Sequence, residues 1–184
     1  PWSNGNIGTI GGSYSGVTQY RMLSTQPPHL KAQFARQSSA DYYDEWVYRG
    51  GAFELGFNLR WVLIHTASNS RKLAPIGKED EVEKRTNDAA ENYLEWLEKA
   101  PISPLAPIAG LHQWFDDWMD HPSRDEYWEE FNITRSHDRV NVPVHHFGGW
   151  FDCFLRGTLE NYKGMRTNAA TPEARAGQRL TIGP

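Results

Sequence analysis

The sequence predicts an α/β protein: a mostly parallel, doubly wound sheet interrupted by a long helical insertion. Two observations carry this. Strand-like and helix-like segments alternate at both ends of the chain, which is the unit of a parallel sheet. The middle of the chain instead carries helical periodicity with little strand signal. At 184 residues, the chain is long enough for one domain or for a core with an insert.

The elements follow in order. "NIGTIGG" reads as a short buried strand ending in glycines. "SYSGVTQYRMLS" follows it with Val17, Tyr20, Met22 and Leu23 at roughly helical spacing, and Pro27-Pro28 stops that helix. "LKAQFARQSS" sets Leu30, Ala32 and Phe34 against Lys31 and Gln33, the alternation of a strand. Helices then take over. "GGAFELGFNLRWVLIHTA" has Phe53, Phe57 and Trp61 at i, i+4 and i+8. "KEDEVEKRTNDAAENYLEWLEKAP" begins acidic and ends with Lys99, which suits the helix dipole. Its apolar stripe is Val82, Ala89, Tyr93 and Leu97, and Pro101 closes it. The proline-rich "APISPLAP" leads to "IAGLHQWFDDWMDHP", with Ile108, Leu111, Phe115 and Trp118 on one face. Ser123 stands three residues before Glu126, a capping-box spacing. "VNVPVHHFGG" returns to a strand, "DCFLRGTLENYKGM" to a helix with Leu155, Leu159 and Tyr162 on its face, and "QRLTIGP" starts a strand. The expected organisation is a core segment over 1–40, a helical insertion over 41–138 and a second core segment over 139–184. Four strands alone would leave unpaired edges, so the chain is expected to be part of a larger protein.

Composition narrows the function classes. The net charge of −4 gives no electrostatic footprint for nucleic acid. No apolar run is long enough to cross a membrane. Cys153 is the single cysteine, which excludes an internal disulfide framework and a cysteine-based zinc site and leaves the redox compartment open. The first residues, Pro1-Trp2, leave any leader and the compartment, cytoplasmic or secreted, undetermined. His137, His145 and His146 lack ligand spacing such as H-E-x-x-H, and the chain has no G-x-x-x-x-G-K-[ST]. Neither a metal nor a cofactor is expected.

Two turns carry the chemistry. "GTIGGSYSGV" surrounds Ser13 with small residues: Gly11 and Gly12 before it, Ser15 and Gly16 after it. A strand, a tight turn and a helix make a nucleophile elbow, which lifts a serine hydroxyl clear of the sheet. The Tyr14 backbone N–H could then donate toward an oxyanion. The same letters also suit a plain glycine-rich loop. "VPVHHFGGWFDCF" ends a strand at Gly148-Gly149 and follows it with Asp152. Groups past the carboxyl ends of strands in open α/β sheets are where function collects. Asp152 suits a triad acid that orients a histidine, and equally suits a helix N-cap. A serine nucleophile needs a general base. Of the seven histidines none follows Asp152, and His145-His146 read as packed within a strand.

These residues resemble the cocaine-esterase and X-prolyl dipeptidyl aminopeptidase group of α/β-hydrolases. That group also includes α-amino-acid ester hydrolases and glutaryl acylases. Gly11, Ser13, Tyr14 and Gly16 match its G-x-S-Y-x-G turn. "HPSRDEYW", "VPVHHFGGWFDCF" and "LTIGP" match its later segments in order, so the resemblance spans the chain. It implies a partial α/β-hydrolase core with a helical cap, and a β-sandwich-like domain further downstream. It implies Ser13 as nucleophile, Tyr14 as backbone oxyanion donor and Asp152 as acid, with the histidine and a second oxyanion donor outside residues 1–184. It implies Trp46, Trp61, Trp150 and Phe154 as substrate-binding aromatics, whereas Trp114, Phe115 and Trp118 read as core. Asp44 and Glu45 read as a solvated charge pair, although acids face an α-ammonium group in the α-amino-acid ester hydrolases. The implied protein is a soluble, bacterial-type serine hydrolase acting on a small ester, amide or short peptide, and oligomerisation is left open. Residues 1–184 alone are expected to turn over little. The competing readings are an aromatic-rich binding module without catalysis and an inactive relative.

Overall fold

The computed structural model describes residues 2–99 and 101–184. Pro1, the first residue of the serine-turn signature, and Ala100, beside the predicted helix stop, lie outside them. The elements in chain order are β1 (Ile7–Gly12), α1 (Tyr14–Leu23), β2 (Leu30–Arg36), β3 (Tyr48–Arg49), β4 (Ala52–Phe53), α2 (Leu55–Leu73), α3 (Glu79–Glu91) and α4 (Tyr93–Leu97). They continue with α5 (Gln113–Asp120), α6 (Glu126–Glu129), β5 (Val144–Gly149), α7 (Leu155–Asn168), α8 (Pro172–Gly177) and β6 (Arg179–Gly183). No helix among the described residues is long and apolar enough to cross a membrane. The chain forms two compact units. One runs up to Trp46 and resumes over Asp125–Pro184; the other is Val47–Arg124.

The first unit is a parallel sheet in the order β1-β2-β5-β6. Its register aligns Gly12 with Arg36 and Arg36 with Phe147, so β1 and β2 end at one level and β5 runs two residues further, to Gly149. Each crossover carries a helix, as parallel pairing requires. α1 buries Val17, Tyr20 and Leu23. α7 buries Gly157, Thr158, Asn161 and Met165. The opposite face of the sheet is more open: Ile10 is 69% exposed, and Phe34 lies between the rings of His145 and Phe147.

The second unit is helical apart from the short β3–β4 hairpin. Its core joins Leu59, Val62 and Leu63 of α2 to Val82 and Ala89 of α3, with Phe115 and Trp118 of α5.

Several expected faces are rotated. In β2 the buried side chains are Leu30, Gln33 and Ala35, and Ala32 is exposed. Phe53 lies in β4, outside α2, and Phe57 is 36% exposed. The single helix expected over 79–99 breaks at Asn92. The cap of α6 is Asp125, which accepts from the Tyr127 N–H, in place of the expected Ser123. Asp at this position does the same electrostatic work with a full charge.

His146 is packed in a buried polar chain. Gln178 donates both amide hydrogens to the Val142 and Ala174 carbonyls, so its Oε1 accepts from His146 Nε2 at 2.9 Å. Nδ1 then accepts from the Tyr20 hydroxyl at 2.7 Å. Both ring nitrogens are taken, and burial pushes the imidazole down to about 4 from an ordinary 6.5. The unfolded chain therefore binds a proton that the fold refuses. Stability from this group is complete above about pH 6.5 and falls as pH drops toward 4. The expected outcome is an unfolding midpoint in urea that falls across this window, with a shallower slope in His146→Gln.

Candidate active site

Ser13 joins β1 to α1 with φ 58° and ψ −132°. A side chain with Cβ rarely adopts this backbone conformation, which costs on the order of 1–3 kcal/mol and persists only where the surroundings fix it. Here they do. The Ser13 N–H donates to Arg36 O at 3.0 Å, and the Ser13 carbonyl accepts from Gly16 N, Val17 N and Ser38 Oγ at 2.9, 3.1 and 2.9 Å. The Tyr14 N–H stands in the first turn of α1, ahead of the first helical hydrogen bonds, where the helix potential favours negative charge. The Tyr14 side chain is 58% exposed.

The glycines of the turn are steric requirements. A Cβ on Gly11 would come within 2.7 Å of the Ser15 carbonyl oxygen. One on Gly16 would run into the Ser38 side chain and lie 3.1 Å from Arg36 O. Gly16→Ala is therefore expected to destabilise the protein by about 1–3 kcal/mol, seen as a lower midpoint in urea. Gln19 braces the same turn, accepting from Thr9 Oγ1 at 2.9 Å and donating to Ser15 O at 3.1 Å. Neither Gln19 nor Ser38 carries a recognisable sequence signal, since their role depends on packing across the turn.

Asp152 lies just past β5, on the same carboxyl edge of the sheet as Ser13 and two strands away, a lateral separation of about 10 Å between strand axes. Its Oδ1 accepts from the Phe154 N–H at 3.2 Å, an Asx-type turn that opens α7. The helix cap itself is Phe154. Its Oδ2 is buried and has no hydrogen-bond partner among the described residues. Burial raises the carboxyl above its ordinary range, against the pull of the Phe154 N–H. An orphaned carboxylate oxygen of this kind is suited to accept from a ring N–H. β6 ends beside it, Gly183 pairing with Gly149 and accepting from the Trp150 N–H at 2.9 Å.

The predicted aromatics separate. Trp46 and Phe154 are buried, 4% and 5% exposed, and meet edge-on with centroids 5.4 Å apart. Trp150 is 64% exposed beside the acid turn. Trp61 lies on α2 of the second unit, against His65 and Trp114. Glu45 departs from the expected solvated pair: it is 3% exposed. Among the described residues no cluster of histidine, cysteine or carboxylate ligands could hold a metal. The histidines of the first unit that bear on the sheet are engaged elsewhere, His137 with Asn161, His145 with Thr181 and His146 as above.

A model of the X-Pro dipeptidyl-peptidase (S15) family matches residues 1–184. The chain belongs to this family. The cocaine esterase of Rhodococcus sp. (strain MB1 Bresler) is 31% identical over 196 residues, an alignment that covers the whole chain and 31% of that protein. The chain thus spans about a third of the length of this curated relative. Among solved structures, a CocE/NonD family hydrolase from Staphylococcus aureus superposes with a TM-score of 0.61 at 24% identity, covering 98% of this chain and 25% of the other. An aminopeptidase from a marine sediment archaeon, Thaumarchaeota archaeon, gives 0.64 at 22% identity over 100% of this chain and 29% of its own. These likenesses show the fold: part of an α/β-hydrolase core.

Proposed function

We propose that this chain carries the nucleophile and the acid of a serine hydrolase acting on ester or peptide bonds. The observation that carries the reading is the left-handed backbone of Ser13, held by four hydrogen bonds at a strand-to-helix turn. Family membership supports it. So does the relative named a cocaine esterase.

In this reading the Ser13 hydroxyl attacks the carbonyl carbon of the substrate, and a histidine takes its proton. The tetrahedral oxyanion accepts from the Tyr14 N–H at the positive end of α1. The same histidine returns the proton to the leaving group, and water then releases the acid from the acyl-enzyme. Asp152 Oδ2 holds that histidine in the productive tautomer. The base comes from outside residues 1–184 in this reading, and the end of β6 beside the turn after Gly149 supports a position following β6. The second oxyanion donor also comes from outside residues 1–184. Trp46 and Phe154 wall the acyl pocket, with Trp150 beside the Asp152 turn; Trp61, on α2 of the helical unit, is the fourth substrate-binding aromatic. By the same reasoning residues 1–184 alone turn over little or nothing.

A fluorophosphonate probe tests the assignment. The full-length protein is expected to be labelled at Ser13, and Ser13→Ala to show none. Undiminished labelling of that variant would remove Ser13 from its role, and a full-length protein that resists the probe would be an inactive relative.

A further inference from the structure

Glu45 is buried in the wide π-type turn Tyr43–Val47. Its Oε2 accepts from the Ala40 and Asp41 N–H groups at 2.7 and 3.4 Å. Its Oε1 is buried and receives no hydrogen bond from the described residues. Arg156 keeps its Nε 3.7 Å from that oxygen, because the guanidinium is engaged elsewhere. Its Nε donates to Glu160 at 3.0 Å, and its Nη1 lies 3.1 Å from Asp44. Glu160 also faces Glu45 directly, and His137 bears on Glu160. Asp41 uses Oδ1 on the N–H groups of Tyr43 and Asp44.

Three carboxylates, Asp44, Glu45 and Glu160, therefore share one guanidinium. Were Glu45 ionised, a buried oxygen would face a second carboxylate with no donor between them. A neutral Glu45 removes both problems, since its O–H can donate to Glu160. Burial is the main force, joined by Glu160 and opposed by the Ala40 N–H; together they push Glu45 up to about 7.

The cluster sits where two backbones meet. Glu45 precedes Trp46, and Arg156 follows Phe154 by two residues. Gly157 lets α7 come close: a Cβ there would lie 2.5 Å from Ala40 N and 2.8 Å from Ser39 Cα, and would also meet the Glu45 carboxyl. The segments that bear the Trp46–Phe154 ring pair are thus fastened through Glu45.

We propose that neutral Glu45 is a positioning residue for the acyl wall formed by Trp46 and Phe154, and that its ionisation loosens this wall. The proposal rests on the acyl-transfer reading of the site. Glu45 itself touches no substrate. When it yields its proton to solvent, the repulsion from Glu160 acts on the turn that carries Trp46.

The test is the pH dependence of p-nitrophenyl butyrate hydrolysis by the full-length protein. KM is expected to rise through the Glu45 midpoint, about tenfold one pH unit above it, while kcat keeps its value. Glu45→Gln keeps an acceptor for the Ala40 N–H and a donor toward Glu160. Its KM is expected to stay at the low-pH value of the wild type. The titration of the catalytic base is common to both proteins and cancels in their ratio. A flat wild-type KM, or the same rise in Glu45→Gln, overturns the proposal. Carboxyl-labelled glutamate NMR gives a readout without turnover: one resonance titrating near neutrality, absent in Glu45→Gln, is expected, and its absence from the wild type overturns the proposal. Loss of both turnover and Ser13 labelling overturns the site reading instead, which separates the two failures.

Discussion

Ser13→Ala in the full-length protein is expected to lower kcat by about 10⁶-fold, the size of effect seen when a triad nucleophile is lost. A residual rate above that of water should remain, because oxyanion donors and substrate binding act without the nucleophile. The substitution tests chemistry with little disturbance of packing. Every hydrogen bond that fixes the Ser13 backbone uses its N–H or its carbonyl, and alanine keeps both. The unfolding midpoint should therefore shift little while activity collapses. Steady-state kinetics and intact-mass analysis after fluorophosphonate treatment check the two halves of this expectation. A kcat within tenfold of wild type would exclude Ser13 as the nucleophile.

Asp152→Asn is expected to be the next largest effect, about 10⁴-fold in kcat. The amide Oδ1 of the variant can still accept from the Phe154 N–H, so the turn that opens α7 survives. What changes is the inward atom. In the wild type Oδ2 is buried, an acceptor with no donor among the described residues. An amide NH₂ in that place donates, and a histidine beside it must turn its acceptor nitrogen toward the amide. The proton then sits on the nitrogen that faces Ser13, where it blocks general-base catalysis. Labelling should slow in step with kcat, and KM should move far less. A fall of under tenfold would assign Asp152 to the turn alone.

Much of this was legible in the sequence, for identifiable reasons. The four parallel strands announce themselves as short segments between turn residues and helical periods, and the Ser13 turn is marked by Gly11 and Gly16, where a side chain has no room. The buried faces of the helices were harder. α7 buries Gly157, Thr158 and Asn161 beside Met165, and where Gly157 and Asn161 meet Ser39 and Ala40 the close approach leaves room only for small or polar side chains. Apolar periodicity points to Leu155, Leu159 and Tyr162, which end up only half-buried. α2 repeats the lesson, with Asn58, Thr66 and Ser70 buried on the face that aromatic spacing did not select. Glu45 was illegible for another reason. Its burial depends on Arg156 and Gly157, more than a hundred positions away, and nothing in "DEW" records them.

Asp41 and Asn132 form an isolated antiparallel bridge, tightened by the Ile133 N–H to Ala40 O bond at 2.8 Å. The stretch between Asp41 and Asn132 therefore starts and ends at neighbouring points within the sheet unit. A segment attached in this way behaves as a cassette, because its removal or replacement changes no strand connection. Natural variation or directed evolution can then exchange the helical excursion while the Ser13 and Asp152 turns keep their strand connections.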